Sequence, residues 1–468
     1  MIYDFLIIGA GAAGLTFIDK LIKTNPKIKI ALIEAGNHKT DNLKDYKEIA
    51  YQKKKINPVD ERRAFLFGGT TNIWGGFCRP LDYEDFISRP DINKNGWPFK
   101  IDELDKYLNE AKKILELKAN FDNKFNPVEK KTLNDFDLQE IDFDYSNRKI
   151  FSKKYKNFEN KIDIFFNTIA YKFNIDENNN AIKTIETIDI KSNKKKIFYS
   201  KHFILTLGGL ETTRFLLNNE KKYKKNYFNQ SNTLGIGFND HPHFYVGKFV
   251  SFKDFHKTNK IKDVRYFKNN YKFQIENKIL NSSTRLIAIK NPLDTDYELI
   301  KDFKNLFPKV KNKINYTGRI MVVSEQFSDP KNKISLNFNN KDKFGIPKMK
   351  FEYEINTFDL NTIRKTSINI SKWLAESENG RAKLSEWILN ENLEPNISDY
   401  IWYGHHMGTT RMSENPNKGV VDQNLKIHGL NNGYIISSSV FPSGGASNPT
   451  FTIVQLSLRL ADYFKNII

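Results

Sequence analysis

A glycine-rich motif near the start of the chain carries residue types that bind a nucleotide cofactor. The motif is G-x-G-x-x-G at 9–14; it follows an apolar run at 3–8 and precedes a helical stretch at 15–23. Its glycines permit a tight turn and a close backbone approach, and a helix N-terminus accepts a pyrophosphate. Glu34 ends the next apolar run, where a carboxylate accepts hydrogen bonds from ribose hydroxyls and repels a 2′-phosphate. The pattern predicts a dinucleotide site for FAD or NAD rather than NADP.

A pair of histidines near the other end of the chain can move a proton. His405 and His406 lie in YGHHMGTTRM at 403–412, and a Gly/Ser/Pro loop and a predicted helix at 450–464 follow. Imidazole, with an ordinary pKa near 6.5, accepts a proton at neutral pH. Adjacent side chains in an extended segment point in opposite directions, so we expect one of the two to face the site.

The elements between these segments must position them. FGGTTNIWGGFCRPL at 67–81 places four glycines around one Trp, which suits a loop lying against a planar ligand. Alternating patterns predict strands at 163–175 and 182–190, and an apolar run predicts a buried strand at 202–207. Helices are expected at 101–117, 211–218 and 362–377. Many short alternating runs within 251–399 predict a separate sheet on the substrate side.

Composition limits the class of protein. Hydrophobic residues make up 39% of the 468, and the net charge is +19. Lys is enriched together with Asn and Ile, which favours a solvated surface over a phosphate-reading one, and no nucleic-acid-binding motif accompanies it. The single cysteine excludes an intrachain disulfide and an all-thiolate metal site, and the eight histidines follow no zinc-type spacing, so we expect no metal. We predict no transmembrane segment, since no apolar run is long enough, and a cytoplasmic protein, since the motif begins too early for a signal peptide.

Six segments occur in the same order as the motifs of one flavoprotein family. They are 9–14 with Glu34, GGTTNIWGG at 68–76, LTLGGLETTRFLL at 205–217, GIGFNDHPH at 235–243, HHMGTTRM at 405–412 and SVFPSGGASNPT at 439–450. On these motifs the chain resembles the glucose–methanol–choline (GMC) family of FAD-dependent oxidoreductases. It is similar to the bacterial sugar-oxidising branch, which includes relatives of pyranose oxidase.

The resemblance implies an α/β fold with two domains. A Rossmann-like FAD-binding domain, of the GMC and p-hydroxybenzoate hydroxylase type, would be assembled from discontinuous segments. A substrate domain would have a mainly antiparallel sheet flanked by helices. We predict residues 1–90, 160–250 and 400–468 in the FAD-binding domain, and 91–159 and 251–399 in the substrate-binding domain.

The resemblance also implies roles for particular residues. His405 is expected to take the hydroxyl proton of the substrate, and Asn448 to hold the substrate oxygen. Ile73 stands where some relatives bind flavin covalently through a histidine, so we expect non-covalent FAD; Ser437 stands where the family often has an acid. The expected FAD contacts are Gly9, Gly11, Ala12, Ala13, Gly14, Glu34, Gly68, Gly69, Thr71, Asn72, Trp74, Gly75, Gly76, Ile169, Gly208, Ser439, Asn448, Pro449 and Thr450.

The function implied is oxidation of a secondary alcohol on a sugar, cyclitol or sugar derivative by hydride transfer to flavin N5. The substrate would be a small polyol or sugar, with phosphorylated and nucleotide-linked forms included. Dioxygen, a quinone and a protein all stay open as electron acceptors. Three alternatives also stay open: a non-redox lyase that keeps FAD, an NAD-dependent dehydrogenase, and a basic protein that binds nucleic acid.

Overall fold

The computed structural model describes residues 1–39, 43, 48–49, 51–53, 62–121, 133–223, 225–230, 232–253, 264–289, 294–306, 308, 314–401, 404–465 and 467. The strands are β1 (Ile2–Ile8), β2 (Ile30–Ile33), β3 (Tyr51–Lys53), β4 (Phe77–Cys78), β5 (Leu138–Ile141), β6 (Asp144–Tyr145), β7 (Asp163–Phe165), β8 (Thr168–Asp176), β9 (Ala181–Asp189), β10 (Lys195–Leu205), β11 (His243–Ser251), β12 (Val264–Asn269), β13 (Ser282–Ile289), β14 (Tyr316–Ser324), β15 (Lys333–Lys341), β16 (Pro347–Glu352), β17 (Gly380–Leu384), β18 (Tyr400–Ile401) and β19 (Gly433–Ile435). The α-helices are α1 (Ala12–Thr24), α2 (Asp102–Asp105), α3 (Leu108–Leu115), α4 (Ile150–Lys154), α5 (Gly208–Glu220), α6 (Tyr271–Glu276), α7 (Asp294–Leu306), α8 (Thr357–Glu376), α9 (Glu386–Leu389) and α10 (Thr450–Lys465).

The first sheet has the strand order β7-β2-β1-β10-β9-β8, and β19 also pairs with β10. Strand β1 runs parallel to β2 and β10, and β19 runs parallel to β10. The apolar run of β1 is buried along Phe5–Ile8, as expected for a parallel strand covered on both faces. The carboxyl ends of β1, β2, β10 and β19 therefore share one edge of the sheet, where open α/β folds bind ligands.

Helices α1 and α10 cover one region of this sheet through aromatic packing. Phe464 of α10 lies edge-on to Phe5 of β1, with ring centroids 4.8 Å apart, and 6.1 Å from Phe17 of α1. All three rings are fully buried. This contact attaches the C-terminal helix to the strand that leads into the glycine motif.

The second sheet has the order β17-β11-β14-β13-β12-β5, with β18 paired to β11, and every pairing in it is antiparallel. On one face, Phe244, Leu286 and Val322 pack with Trp373 of α8 in one apolar core. The residues that alternate with them face the other way. None of the helices that the structure describes is long and apolar enough to cross a membrane.

The predicted α/β class and the mainly antiparallel second sheet are confirmed, but sheet membership differs from the predicted domain division in two places. Strand β11 lies almost entirely within the predicted FAD-binding segment 160–250, yet all of its pairings in the described part of the chain are with strands of the second sheet. Helices α2 and α3 lie within the predicted substrate segment, yet their apolar residues join the core of the first sheet. Alternation shows that a segment has a buried face but not what covers that face.

Replacing Phe464 with Ala should lower the free energy of unfolding by about 3–5 kcal/mol, because it empties a fully buried ring site. Chemical denaturation followed by tryptophan fluorescence measures this change. Phe338, which is 36% exposed on β15, is the matched control, and F338A should cost about 1 kcal/mol or less. Equal losses in the two variants would contradict the assigned packing of α10.

Candidate active site and cofactor cleft

A cleft opens at the carboxyl edge of the first sheet. It encloses ≈ 1110 Å³, which includes space open to solvent. Its walls come from the segments that follow β1, β2, β10 and β19, together with the start of α10. Four segments far apart in sequence thus meet in one cleft because their strands are parallel.

Two positions of the motif, Gly9 and Gly11, lack a side chain for different structural reasons. Gly9 has φ +109°, and a Cβ there would lie 2.5 Å from the carbonyl oxygen of Thr206, so β1 and the turn after β10 approach too closely for a side chain. Gly11 has an ordinary extended conformation, and a Cβ there would meet no atom within 4 Å. Its missing side chain leaves open space in the cleft beside the backbone, which is the space that a pyrophosphate needs for a close approach.

Glu34 lies at the end of β2, inside the cleft. Its carboxylate accepts hydrogen bonds from the backbone N–H groups of Ala10 and Gly36, both at 2.8 Å. These bonds hold the side chain, which is 5% exposed, beside the glycine motif. A carboxylate has further lone pairs for ribose hydroxyls.

The glycine-rich loop at 67–81 is braced mainly by its own residues. Asn72 donates to the carbonyls of Phe67 and Gly69 and accepts from Ser152, which closes the 3₁₀ turn Gly69–Asn72. Gly76 has φ +80°, and a Cβ there would lie 2.2 Å from the Ser146 carbonyl oxygen. Gly76 therefore fits a close crossing of two backbone segments.

The structure brings about half of the predicted cofactor contacts to the cleft. Those that line it are Gly9, Gly11, Ala12, Ala13, Glu34, Gly69, Thr71, Ile169, Gly208 and Thr450. Those that lie outside its lining are Gly14, Gly68, Asn72, Trp74, Gly75, Gly76, Ser439, Asn448 and Pro449. Lining residues that sequence reasoning missed include Arg63, Thr206, Glu211, His406 and Ser437.

Ser437 and Ser439 illustrate the difference between a residue that lines the cleft and a residue that lies behind its lining. Ser437 lies two residues after the end of β19 and lines the cleft. The hydroxyl of Ser439 lies two residues further on, fully buried, and bonds to the hydroxyl of Thr410 at 2.6 Å. The 3₁₀ turn Ser438–Val440 rotates the chain between the two positions.

A buried carboxylate joins the two histidine-bearing loops. Oδ1 of Asp240 accepts from the backbone N–H of His241 at 2.6 Å and from that of His405 at 2.9 Å. Asn239 and Met407 pair their backbones alongside. Burial raises the pKa of Asp240 to about 7, while the backbone donors act in the opposite sense. Sequence reasoning assigned no role to this residue, although it lies in the GIGFNDHPH motif at 235–243.

The hydrogen bonds of this region determine which histidine nitrogen carries a proton. His241 Nε2 lies 3.3 Å from the carbonyl oxygen of Gly444, which only accepts, so this nitrogen donates. Burial lowers the pKa of His241 to about 4, so the ring is neutral and its Nδ1 is bare. This Nδ1 lies 2.8 Å from Nδ1 of His405, which must therefore donate to it.

The remaining nitrogen of His405 is consequently a proton acceptor. Burial is the main cause that lowers the pKa of His405 well below its ordinary value, so the ring is neutral. The next causes are the nearby side chains of His241, His243, Arg285 and His406. Its bare Nε2 lies 3.3 Å from Nδ2 of Asn448, which donates. A series of hydrogen bonds thus runs from Asn448 through His405 and His241 to Gly444, and each group donates to the next. Nε2 of His405 is therefore a basic nitrogen beside the amide donor of Asn448.

His406 faces elsewhere, as alternation predicts. It lines the cofactor cleft, its ring lies 6.0 Å from that of Phe238, and its pKa is lowered to about 3 by burial and then by the charge of Arg63. Tyr403, the first residue of the same motif, lies outside the described residues.

Comparison with known proteins identifies this architecture. Residues 328–457 match the family model described as GMC oxidoreductase. Pyridoxine 4-oxidase from "Mesorbium loti" superposes with a TM-score of 0.62 at 13% identity, over 99% of both chains. The chain has the GMC oxidoreductase fold. An FAD-dependent oxidoreductase from Chaetomium thermophilum has the same TM-score at 14% identity, again over 99% of both chains.

Among curated sequences, the fructose dehydrogenase large subunit of Gluconobacter japonicus is 24% identical over 318 residues. The match covers 64% of this chain and 53% of the relative. The chain thus spans about half the length of that relative. The comparisons support the GMC family without indicating a branch of it.

The residues present fit FAD as the cofactor of this cleft. The open space at Gly11 leaves room for a pyrophosphate, and Glu34 suits a ribose without a 2′-phosphate. The N-terminus of the sixteen-residue helix α10 borders the cleft through Thr450, where backbone N–H groups favour an electron-rich group. The family match and this geometry together support FAD.

Changing Gly11 to Val should leave a folded protein that does not retain FAD, because a Cβ at this position meets no protein atom within 4 Å and the side chain enters the cofactor space. Visible flavin absorbance after reconstitution with FAD measures retention, and circular dichroism checks the fold. In contrast, Gly9→Ala should lower the melting temperature, because its Cβ would meet Thr206. A fully yellow Gly11→Val protein would show that the cofactor lies elsewhere.

Proposed function

We propose that the chain is an FAD-dependent oxidoreductase that oxidises a secondary alcohol of a sugar, cyclitol or sugar derivative to a ketone. The observation that carries this proposal is the bare Nε2 of His405, 3.3 Å from the amide of Asn448. Such a pair binds and deprotonates a hydroxyl group. The similarity to a fructose dehydrogenase subunit supports a sugar as substrate.

When bound, FAD supplies a hydride acceptor at N5. The chain itself manages the hydroxyl group: Nδ2 of Asn448 donates to the substrate oxygen, and Nε2 of His405 accepts the hydroxyl proton. An alcohol is a far weaker acid than imidazolium, so proton acceptance must accompany oxidation at the carbon. When His405 takes this proton on Nε2, its Nδ1–H still donates to Nδ1 of His241, so the ring keeps its orientation.

We propose further that FAD is held non-covalently by the lining residues of the cleft, with Ser437 among them. Ile73 supports this, because its hydrocarbon side chain, 47% exposed, has no atom that can bond to a flavin. Acid precipitation of the purified protein should therefore leave the flavin in the supernatant, and flavin that stays with the pellet would contradict this point.

His405→Ala should retain FAD but slow anaerobic flavin reduction by roughly 100-fold or more, the scale of a lost general base. Stopped-flow absorbance with a panel of sugars and cyclitols measures the rate. His406→Asn is the comparison variant, since His406 lines the cleft: it should weaken FAD binding while bound flavin is reduced at a similar rate. The reverse pattern would exchange the roles of the two histidines.

His241→Leu should slow flavin reduction by roughly 10- to 100-fold, because His405 loses the acceptor that fixes its tautomer and orientation. His241→Gln keeps an acceptor oxygen and should recover part of the rate. The tautomer of His405, read from ¹⁵N chemical shifts, should become mixed in the Leu variant only. Equal rates and unchanged shifts in both variants would rule out an orienting role for His241.

A further inference from the structure

The second sheet presents one polar row toward the histidines. In β13, Arg285 pairs with Tyr266 and Met321, and Ser283 pairs with Val323, which in turn pairs with His243 of β11. Paired residues in antiparallel strands point to the same face, as do residues two apart on one strand. Arg285, Ser283 and His243 therefore share the face opposite the one packed on α8.

Arg285 is a buried cation that forms no ion pair with any carboxylate in the described part of the chain. Its side chain is 6% exposed, and Nε has no hydrogen-bond partner among the described residues. The neighbouring hydroxyl of Ser283 is fully buried and, within the same part of the chain, likewise has no partner. Two polar groups on one face thus lack the hydrogen bonds that buried groups normally make.

Several other buried cations near this sheet form ion pairs with carboxylates, and Arg364 of α8 donates to backbone carbonyls; among the described residues Arg285 does neither. Arg265 on the adjacent strand is its closest counterpart: it is buried, stacks on two rings and binds both carboxylate oxygens of Glu140 at 2.8 and 2.7 Å. The remaining pairs are Arg79 with Asp82, Lys94 with Glu325, and Lys268 with Asp82 and Glu84.

Arg285 lies among three aromatic rings and near the strand that carries His243. Its guanidinium carbon lies 5.4–5.7 Å from the ring centroids of Phe77, Phe143 and Tyr266. Phe77 belongs to the glycine-rich loop at 67–81, so Arg285 lies between the second sheet and that loop. Only β14 separates β13 from β11, so the strand that carries His243 is about 10 Å away.

We propose that Arg285, with Ser283, binds an anionic oxygen group of the substrate, so that the oxidised alcohol carries a carboxylate or a phosphate. A guanidinium presents a planar fork of donors that matches either group, and the Ser283 hydroxyl adds a donor. This inference rests on the proposed alcohol oxidation and specifies its substrate class.

The electrostatics of the histidines are consistent with this role. After burial, the charge of Arg285 is among the causes that lower the pKa of His241, His243 and His405. An anion bound to Arg285 offsets that charge and increases the proton affinity of His405. The substrate would thereby improve the base that deprotonates it.

The test compares anionic alcohols with neutral partners of the same shape. D-glucuronate and its methyl ester form the carboxylate pair, and glycerol 3-phosphate and glycerol form the phosphate pair. In anaerobic flavin reduction, the anionic member of one pair should saturate the wild-type holoenzyme at a concentration at least tenfold lower. Arg285→Met should raise that concentration by roughly 10- to 100-fold for the anion only. Arg285→Lys should lie between the two.

A stability measurement separates this role from a structural one. Arg285→Met removes a buried charge that has no ion-pair partner among the residues that the structure describes, so the melting temperature of the variant should equal or exceed that of the wild type. Arg265→Met, the matched control, strands Glu140 and should melt lower. A melting temperature for Arg285→Met as low as that of Arg265→Met, or equal losses with anionic and neutral alcohols, would overturn the proposal.

Titration with acetate and inorganic phosphate keeps this inference distinguishable from the proposed function. Either anion should perturb the flavin spectrum of the holoenzyme saturably, with at least tenfold weaker binding in Arg285→Met. If no alcohol reduces the flavin but this titration behaves as stated, the proposed oxidation fails and the anion site stands. If alcohols reduce the flavin but neither anion binds through Arg285, the anion site fails alone.

Discussion

The active-site region depends on one buried carboxylate. Asp240 binds the backbone N–H groups of His241 and His405, which are 164 residues apart in the chain. A carboxylate in this environment costs free energy unless donors surround it, so it holds both loops in one arrangement. From that arrangement follow the contact between the two imidazoles and the direction of their hydrogen bonds. The direction itself is set by the carbonyl of Gly444, which can only accept.

Two buried arginines of the second sheet differ in whether a described carboxylate neutralises them. Arg265 and Arg285 lie on adjacent antiparallel strands, and both are buried against aromatic rings. Arg265 has its carboxylate in Glu140 and stabilises the layer beside α8. Arg285 has no such partner among the described residues, and an unpaired buried charge destabilises a fold. A ligand that brings an anion compensates for this only when it binds.

Much of the first sheet could be predicted from local pattern. The apolar runs before Gly9 and Glu34 and the helix after Gly14 are observed as β1, β2 and α1. The cofactor motif was recognisable because its turn, its helix start and its acid all act within one βαβ unit. The glycine-rich loop was predicted as a segment. Its Asn72, however, bonds to carbonyls of the loop itself, and Gly76 lies against the backbone of Ser146; composition alone does not distinguish these roles from contact with a ligand.

The sequence by itself determined the local elements, the chemistry available at Gly9–Gly14, Glu34 and His405, and the order of the family motifs. Periodicity and turn chemistry depend on neighbouring residues, so they can be read without a structure. The tertiary structure alone decided that β11 joins the second sheet, that the ring of His241 contacts that of His405, and that Ser437 rather than Ser439 lines the cleft. It also decided that, within the described part of the chain, Arg285 has no carboxylate partner whereas Arg265 has one. These facts depend on which distant segments meet. The local sequence pattern does not identify the segment that covers each buried face.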